Sequence, residues 1–363
     1  MFRDDYTGKR VFVTGHTGFK GSWLCEMLLA AGAEVHGFAL RPPTHPALFT
    51  QLRLSRRIAG HTLGDVRDLR ALTEALRTAR PDFVFHLAAQ PLVRVSYARP
   101  VETFDTNVMG TVNLLEAVRR TVCTPCSVVC VTTDKVYEND NAGRAFRETD
   151  PLGGSDPYSA SKGACEIAIA SYRRSFFDAA QPVRVASARA GNVIGGGDWA
   201  LDRIVPDAMR AFLNGGTLVV RNRRSTRPWQ HVLEPLTGYL MLGATLARSD
   251  AGGLDAAFNF GPDERTVKTV GQLVRELRRT FPEGAVKDLT DPTAPCEAKL
   301  LRLDSTRARE RLGWRPRWDF ARTVRETATW YRAVADGTPP REITDRQIAD
   351  FLGHWFDSLP QGR

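Results

Sequence analysis

The sequence predicts an α/β protein organised around a doubly wound parallel sheet, with a smaller α+β lobe added in the C-terminal half. Three observations carry this. Short apolar runs recur through the first 190 residues, stretches with apolar residues at helical spacing separate them, and that regularity stops after Arg189. Alternation of this kind gives parallel strands joined by right-handed crossovers. Arg10-Val11-Phe12-Val13-Thr14 reads as a buried first strand, and an apolar helix follows through Ala31. Glu34 to Ala39 is the second strand, Thr62 to Asp65 a short third and Asp82 to Leu87 the fourth. Val101 to Arg120 carries apolar residues at helical spacing. Ser127 to Thr132 is the fifth strand, Tyr158 to Phe177 a long helix and Val183 to Ser187 the sixth strand. Phe258 to Gly261 is expected to return a last strand to the sheet.

This pattern divides the chain into a first domain of residues 1–189, completed by about 231–260, and a lobe formed by 190–230 and 261–363. The glycine-rich stretch Gly191 to Gly197, the arginine-rich stretch near 221 and Pro292 to Pro295 read as excursions that build the lobe around the strand ends, where open sheets bind ligands. The tail after Gly337, with its double proline, receives no predicted element.

The 363 residues suffice for a large core, and the mix of 42% hydrophobic with 25% charged residues is ordinary for a soluble enzyme. No apolar run is long enough to span a membrane, and the polar first residues, Met1 to Lys9, leave no room for a signal peptide, so the cytoplasm is the expected compartment. The formal charge of +9 suits nucleic acid or a doubly phosphorylated small molecule. Arg221, Arg223, Arg224 and Arg227 are its densest cluster, with no nucleic-acid-binding signature beside them, so no nucleic-acid partner is expected. Among six cysteines, Cys123 and Cys126 form a C-x-x-C that lacks a second ligand pair, and no metal is assigned.

Gly15, Gly18 and Gly21 lie in the turn between the first strand and the first helix. Glycines there let the backbone approach a pyrophosphate and aim helix N-terminal N–H groups at it. Downstream, Tyr158 and Lys162 stand four residues apart, so a helix presents both from one face. An ammonium beside a phenol favours phenolate, the form that takes a proton from a hydroxyl. Such a pair also arises by chance on surface helices; the glycine turn upstream is what gives it weight.

With its G-x-x-G-x-x-G turn and Tyr-x-x-x-Lys, the chain resembles the extended short-chain dehydrogenase/reductase superfamily and so a Rossmann-like fold. Thr132-Thr133-Asp134-Lys135-Val136-Tyr137 narrows this to the nucleotide-sugar 4,6-dehydratases, which place an acid pair after the threonine; here the pair is Asp134-Lys135. That variant is similar to the CDP-glucose 4,6-dehydratases, as are Gln90 to Val93, Arg189 to Trp199 and Arg227 to Val232, over a span from about Gly8 to Trp330.

The resemblance implies an NAD-dependent removal of water from a nucleotide-activated hexose. Tyr158, Lys162 and Thr133 would serve oxidation at carbon 4, Asp134 would act as acid, and Lys135 would be either the base at carbon 5 or an orienting group. Gly15, Gly18, Phe19, Lys20, Gly21, Asp65, Val66, Ala88 and Ala89, with Tyr158 and Lys162, would hold the cofactor. Asn192, Arg203, Arg227 and Arg302 would hold the nucleotide diphosphate. The acid that usually binds the ribose hydroxyls is missing from Ala39-Leu40-Arg41, which leaves NADP open beside NAD. Cys296-Glu297-Ala298 stands where the family tends to carry His-Glu-Ala. A 4-epimerase or 4-reductase would need Tyr158, Lys162 and Thr133 but has no use for Asp134-Lys135, and a non-catalytic dinucleotide sensor is a further alternative. The apolar faces of 101–120 and 158–177 are where the family pairs two subunits, which implies a homodimer, with a tetramer as the alternative.

Overall fold

The computed structural model describes residues 2–139, 143–177, 182–248, 256–263, 267–290 and 301–357. Seven strands form the central sheet: β1 (Arg10–Thr14), β2 (Glu34–Ala39), β3 (Gly60–Leu63), β4 (Phe83–His86), β5 (Cys126–Val131), β6 (Val183–Ala190) and β7 (Ala257–Phe260). Their order is β7-β6-β5-β4-β1-β2-β3, and every pairing is parallel. The chain reverses its direction of travel across the sheet between β1 and β4, and a crevice opens at such a switch point beyond the strands' C-terminal ends.

Strand periodicity sets the two layers. On β1, Val11 and Val13 join one core with Trp23 and Leu24 of α1 (Phe19–Ala30) and Leu236, Tyr239 and Leu240 of a later helix, Leu233–Ala247. Phe12, between them, faces the opposite core with Leu72 and Leu76 of α2 (Leu69–Ala79), Leu114 and Val118 of α3 (Gly110–Thr121) and Ile169 of α4 (Pro157–Phe176).

The structure moves several expected boundaries. β3 ends at Leu63, leaving Asp65 and Val66 in the following turn, where the Asp68 N–H closes on the Asp65 carbonyl. The expected helix over 101–120 is interrupted by a π-helical turn, Asp105–Met109, before α3 begins. Gly110 explains part of the register, since a Cβ there would lie 2.7 Å from Val66 Cγ2. β6 runs three residues beyond Ser187, to Ala190. The tail after Gly337 is a helix, Pro340–Asp357, whose Ile343, Ile348 and Phe351 enter the core; proline is tolerated in a helix's first turn, where its missing N–H has no partner to lose. Pro292 to Pro295 and Cys296-Glu297-Ala298 lie outside the described residues. Among those described, no helix is long and apolar enough to cross a membrane.

Candidate active site

The glycine turn after β1 is built for close approach. Gly15 has φ +74°, and a Cβ there would lie 2.7 Å from the Ala88 nitrogen; at Gly21 it would lie 2.2 Å from the Gly15 carbonyl oxygen. Gly18 caps α1 without any side-chain hydrogen bond, so the first N–H groups of a 12-residue helix are free of side-chain caps. A dinucleotide pyrophosphate fits this cradle. Ala88 and Ala89 follow β4, where the Ala88 N–H donates to Thr14 Oγ1 and the Gln90 N–H to Asn107 Oδ1. Val66 is buried. Asp65 lies beside it, its carboxylate gripped by Arg67, whose hydrogen bonds are the main cause of its lowered pKa.

Asp156-Pro157 starts α4. The Asp156 carboxylate accepts from the Ser159 N–H at 3.0 Å and proline takes the first helical position. This start places Tyr158, Lys162 and Glu166 at i, i+4 and i+8 on one face, all buried against the ends of β5 and β6. Lys162 Nζ donates to the Val131 carbonyl at 3.3 Å. Facing it, β5 ends in a short 3-10 turn, Asp134–Val136. Asp134 Oδ1 accepts from Thr133 Oγ1 at 2.9 Å and from Lys135 Nζ at 3.1 Å. Asp134 is 4% exposed, and a Cβ on Gly191 would stand 2.9 Å from its Oδ2. Burial works against the charge on Lys135, but the Asp134 carboxylate, with Tyr158, outweighs it and raises the lysine's pKa above the ordinary value.

A third lysine joins this group. Lys20 leaves the first turn of α1, and its pKa falls to about 8, chiefly through burial and then through Arg203, with Lys162 and Lys135 lowering it and Asp134 opposing. Its ammonium therefore belongs to the charged centre of the site as well as to the turn. Arg227 contributes to the field at Lys135. Arg203 Nη1 is 2.9 Å from Asp198 Oδ2. Asn192 is exposed. Arg302 sits instead on a two-residue strand paired with Ala145–Phe146 and donates to the Gly143 carbonyl.

These residues hold three chemical capacities side by side: a phenol next to a lysine, a carboxyl and an amine in hydrogen-bond contact, and a cradle for a pyrophosphate. A family model described as GDP-mannose 4,6 dehydratase matches residues 12–327. A CDP-glucose 4,6-dehydratase from Salmonella typhimurium is 45% identical over 351 residues, covering 96% of this chain and 97% of that protein. The chain belongs to the CDP-glucose 4,6-dehydratase family. Among solved structures, a dTDP-glucose 4,6-dehydratase from Streptomyces venezuelae with NAD and TYD bound has a TM-score of 0.73 at 27% identity, covering 89% of this chain and 97% of that one. A UDP-glucose 4-epimerase from Thermus thermophilus in complex with NAD gives the same score and identity, covering 89% and 99%.

The sequence reading of this dehydratase-family chain missed three residues at the site. Asn107, in the π-helical turn, accepts from the Gln90 N–H and donates to Ser161 Oγ at 2.9 Å, tying the loop after β4 to α4. Glu166 and Arg189 form a buried pair behind the Thr133-Asp134-Lys135 turn. Periodicity on α4 was a usable signal for Glu166, because it continues the Tyr158–Lys162 face by one turn. Nothing in the sequence marked Asn107, whose position depends on the irregular turn. The Gly196 and Gly197 backbone of the dehydratase-like Gly-Gly-Gly-Asp-Trp run has a packing cause. A Cβ on Gly196 would fall within the Trp330 ring, and Trp23 Nε1 donates to the Gly196 carbonyl.

Proposed function

We propose that the protein converts CDP-D-glucose to CDP-4-keto-6-deoxy-D-glucose, a redox-neutral removal of water. The observation that carries this reading is the shared proton site of Asp134 and Lys135, placed beside Tyr158 and Lys162. Residues 1–189, completed by about 231–260, hold the cofactor in this reading, and 190–230 with 261–363 hold the sugar nucleotide. Gly15, Gly18, Phe19, Gly21, Asp65, Val66, Ala88 and Ala89 would hold NAD, which would supply a hydride acceptor for carbon 4 and a hydride donor for carbon 6.

The chain's own residues move the protons. Tyr158, assisted by Lys162, takes the proton of the 4-hydroxyl, and Thr133 bonds that oxygen. The 4-ketone acidifies the hydrogen on carbon 5. Passing one proton from Lys135 to Asp134 along their 3.1 Å contact turns an ion pair into an amine and a carboxylic acid. Those are the base and the acid an elimination needs. Lys135 then takes the carbon 5 proton while Asp134 protonates the departing 6-hydroxyl, which leaves as water. Lys135 returns its proton to carbon 5, and the proton spent by Asp134 is replaced by the one Tyr158 removed. Arg203 and Arg227, with Asn192 and Arg302, hold the diphosphate, for which guanidinium forks are suited.

A homodimer in the cytoplasm is the expected assembly and compartment. Val101, Phe104 and Met109, beside Ile167 of α4, form an exposed apolar face that a second copy would cover. Incubation with CDP-glucose and NAD tests the reading: a 4-keto-6-deoxy product without net formation of reduced cofactor supports it, and a 4-epimer or a stoichiometric yield of NADH rejects it.

A further inference from the structure

Glu166 stands one turn beyond Lys162 on α4 and is 4% exposed, yet no proton transfer in the mechanism uses it. Its carboxylate accepts from three sides: Thr132 Oγ1 at the end of β5, Ser187 Oγ of β6 at 2.7 Å, and Arg189 Nη2 of β6 at 2.9 Å. Arg189 in turn donates to the Tyr137 hydroxyl at 2.8 Å and the Glu148 carbonyl at 3.2 Å. Tyr137 passes the chain on to Asn259 Oδ1 of β7 at 2.7 Å, and Asn259 donates to the carbonyls of Phe146 and Asp304. Thr132 immediately precedes Thr133, and Tyr137 immediately follows the Asp134–Val136 turn. The network therefore grips the catalytic turn at both ends and bolts it to the helix that carries Tyr158 and Lys162. Its far end reaches Phe146, whose short strand pairs with the one bearing Arg302.

Stability alone is a poor reason for this arrangement. A buried ion pair loses hydration that its attraction barely returns, and an apolar pair of similar volume often serves the fold as well or better. Here Arg189 Nε also has no hydrogen-bond acceptor among the described residues. Three discrete donors on one carboxylate, one at Oε1 and two at Oε2, fix relative position in a way apolar packing does not.

We propose that Glu166 and Arg189 are positioning residues of the reaction: through Thr132 and Tyr137 they hold the Thr133-Asp134-Lys135 turn in register with Tyr158 and Lys162. The inference rests on the dehydratase reading above. Misplacing reacting groups by about an ångström costs on the order of 100-fold in rate.

Two variants test it. Thr132→Val removes one hydroxyl from the network and leaves the ion pair in place. The double variant Glu166→Leu/Arg189→Met replaces the pair by apolar side chains of similar length and leaves no lone buried charge. Each is followed by thermal unfolding, by NAD binding, and by the single-turnover rate at which substrate reduces bound cofactor, measured well below the melting temperature. A positioning role predicts that Thr132→Val keeps the melting temperature and NAD affinity of the parent while the single-turnover rate falls about tenfold. It predicts a larger fall, on the order of 100-fold, in the double variant, with KM changed little. Parental single-turnover rates in Thr132→Val would overturn the proposal, whatever the double variant does. If the parent enzyme itself fails to turn over CDP-glucose, the dehydratase reading fails instead, so the two failures are distinct.

Discussion

Lys135 Nζ lies 3.1 Å from Asp134 Oδ1, and the same oxygen accepts from Thr133 Oγ1 at 2.9 Å. One carboxylate oxygen thus joins the residue expected to meet the 4-hydroxyl with the two expected to act at carbons 5 and 6. That contact, together with Tyr158, outweighs burial and raises the pKa of Lys135.

Because neither member of that pair is needed to oxidise carbon 4, Asp134→Asn should separate the two halves of the reaction. Reduced cofactor should accumulate on the enzyme in the presence of CDP-glucose while the deoxy-ketone fails to form, as read by near-ultraviolet absorbance and product analysis. In Lys135→Met, exchange of the carbon 5 hydrogen with deuterated solvent should disappear while carbon 4 oxidation continues. Persisting exchange would assign Lys135 an orienting role and the base to another group.

Tyr158→Phe keeps the ring in its buried slot and removes the proton acceptor. Turnover should fall by a factor of about 100 or more, with thermal stability near that of the parent. Activity within a few fold of the parent would make the tyrosine structural.

Gly191 leaves space for Asp134, since a Cβ would stand 2.9 Å from Oδ2. Gly191→Ala should displace that carboxylate, giving the Asp134→Asn pattern in milder form: carbon 4 oxidation retained and product formation slowed. Comparison of the two rates in single turnover checks it.

His86 is buried between Thr14 Oγ1 at 2.7 Å and Thr111 Oγ1 at 3.2 Å, and burial, with Lys162 nearby, lowers its pKa from 6.5 to about 3. The folded pKa lies below the unfolded one, so on acidification the unfolded chain takes up the proton first. Stability from this group is full above pH 6.5 and is lost as pH falls toward 3. Replacing it in His86→Gln should shrink the difference in unfolding free energy between pH 7 and pH 5 by about 2 kcal/mol. Denaturant unfolding at the two pH values measures this, and an unchanged difference would contradict the assignment.

Much of this architecture was legible in the chain. β1 and β2 fall on their expected residues because buried parallel strands are short apolar runs bounded by turn residues, and Tyr158 and Lys162 share a face because helical geometry requires it. Asp134-Lys135 pointed to dehydration through its resemblance to the CDP-glucose 4,6-dehydratases. What escaped were features set by distant segments. The π-helical turn that aims Asn107 at Gln90 and Ser161 has no local signature, and an uninterrupted helix was the simpler reading of 101–120. Lys20 looked like part of a pyrophosphate turn, yet its ammonium responds to Arg203 and Lys162, which come from other parts of the chain. The electrostatics of Lys135 depended on which of burial and Asp134 prevails, and only the contact distance decides that.

The most direct test of the whole account is the fate of the hydrogen on carbon 4. CDP-glucose carrying deuterium there is incubated with the purified protein, and the product is analysed by mass spectrometry and NMR. A redox-neutral 4,6-dehydration predicts deuterium at carbon 6 of the 4-keto-6-deoxy product, with none left in free cofactor. Label retained at carbon 4, or recovered in released NADH, would contradict it.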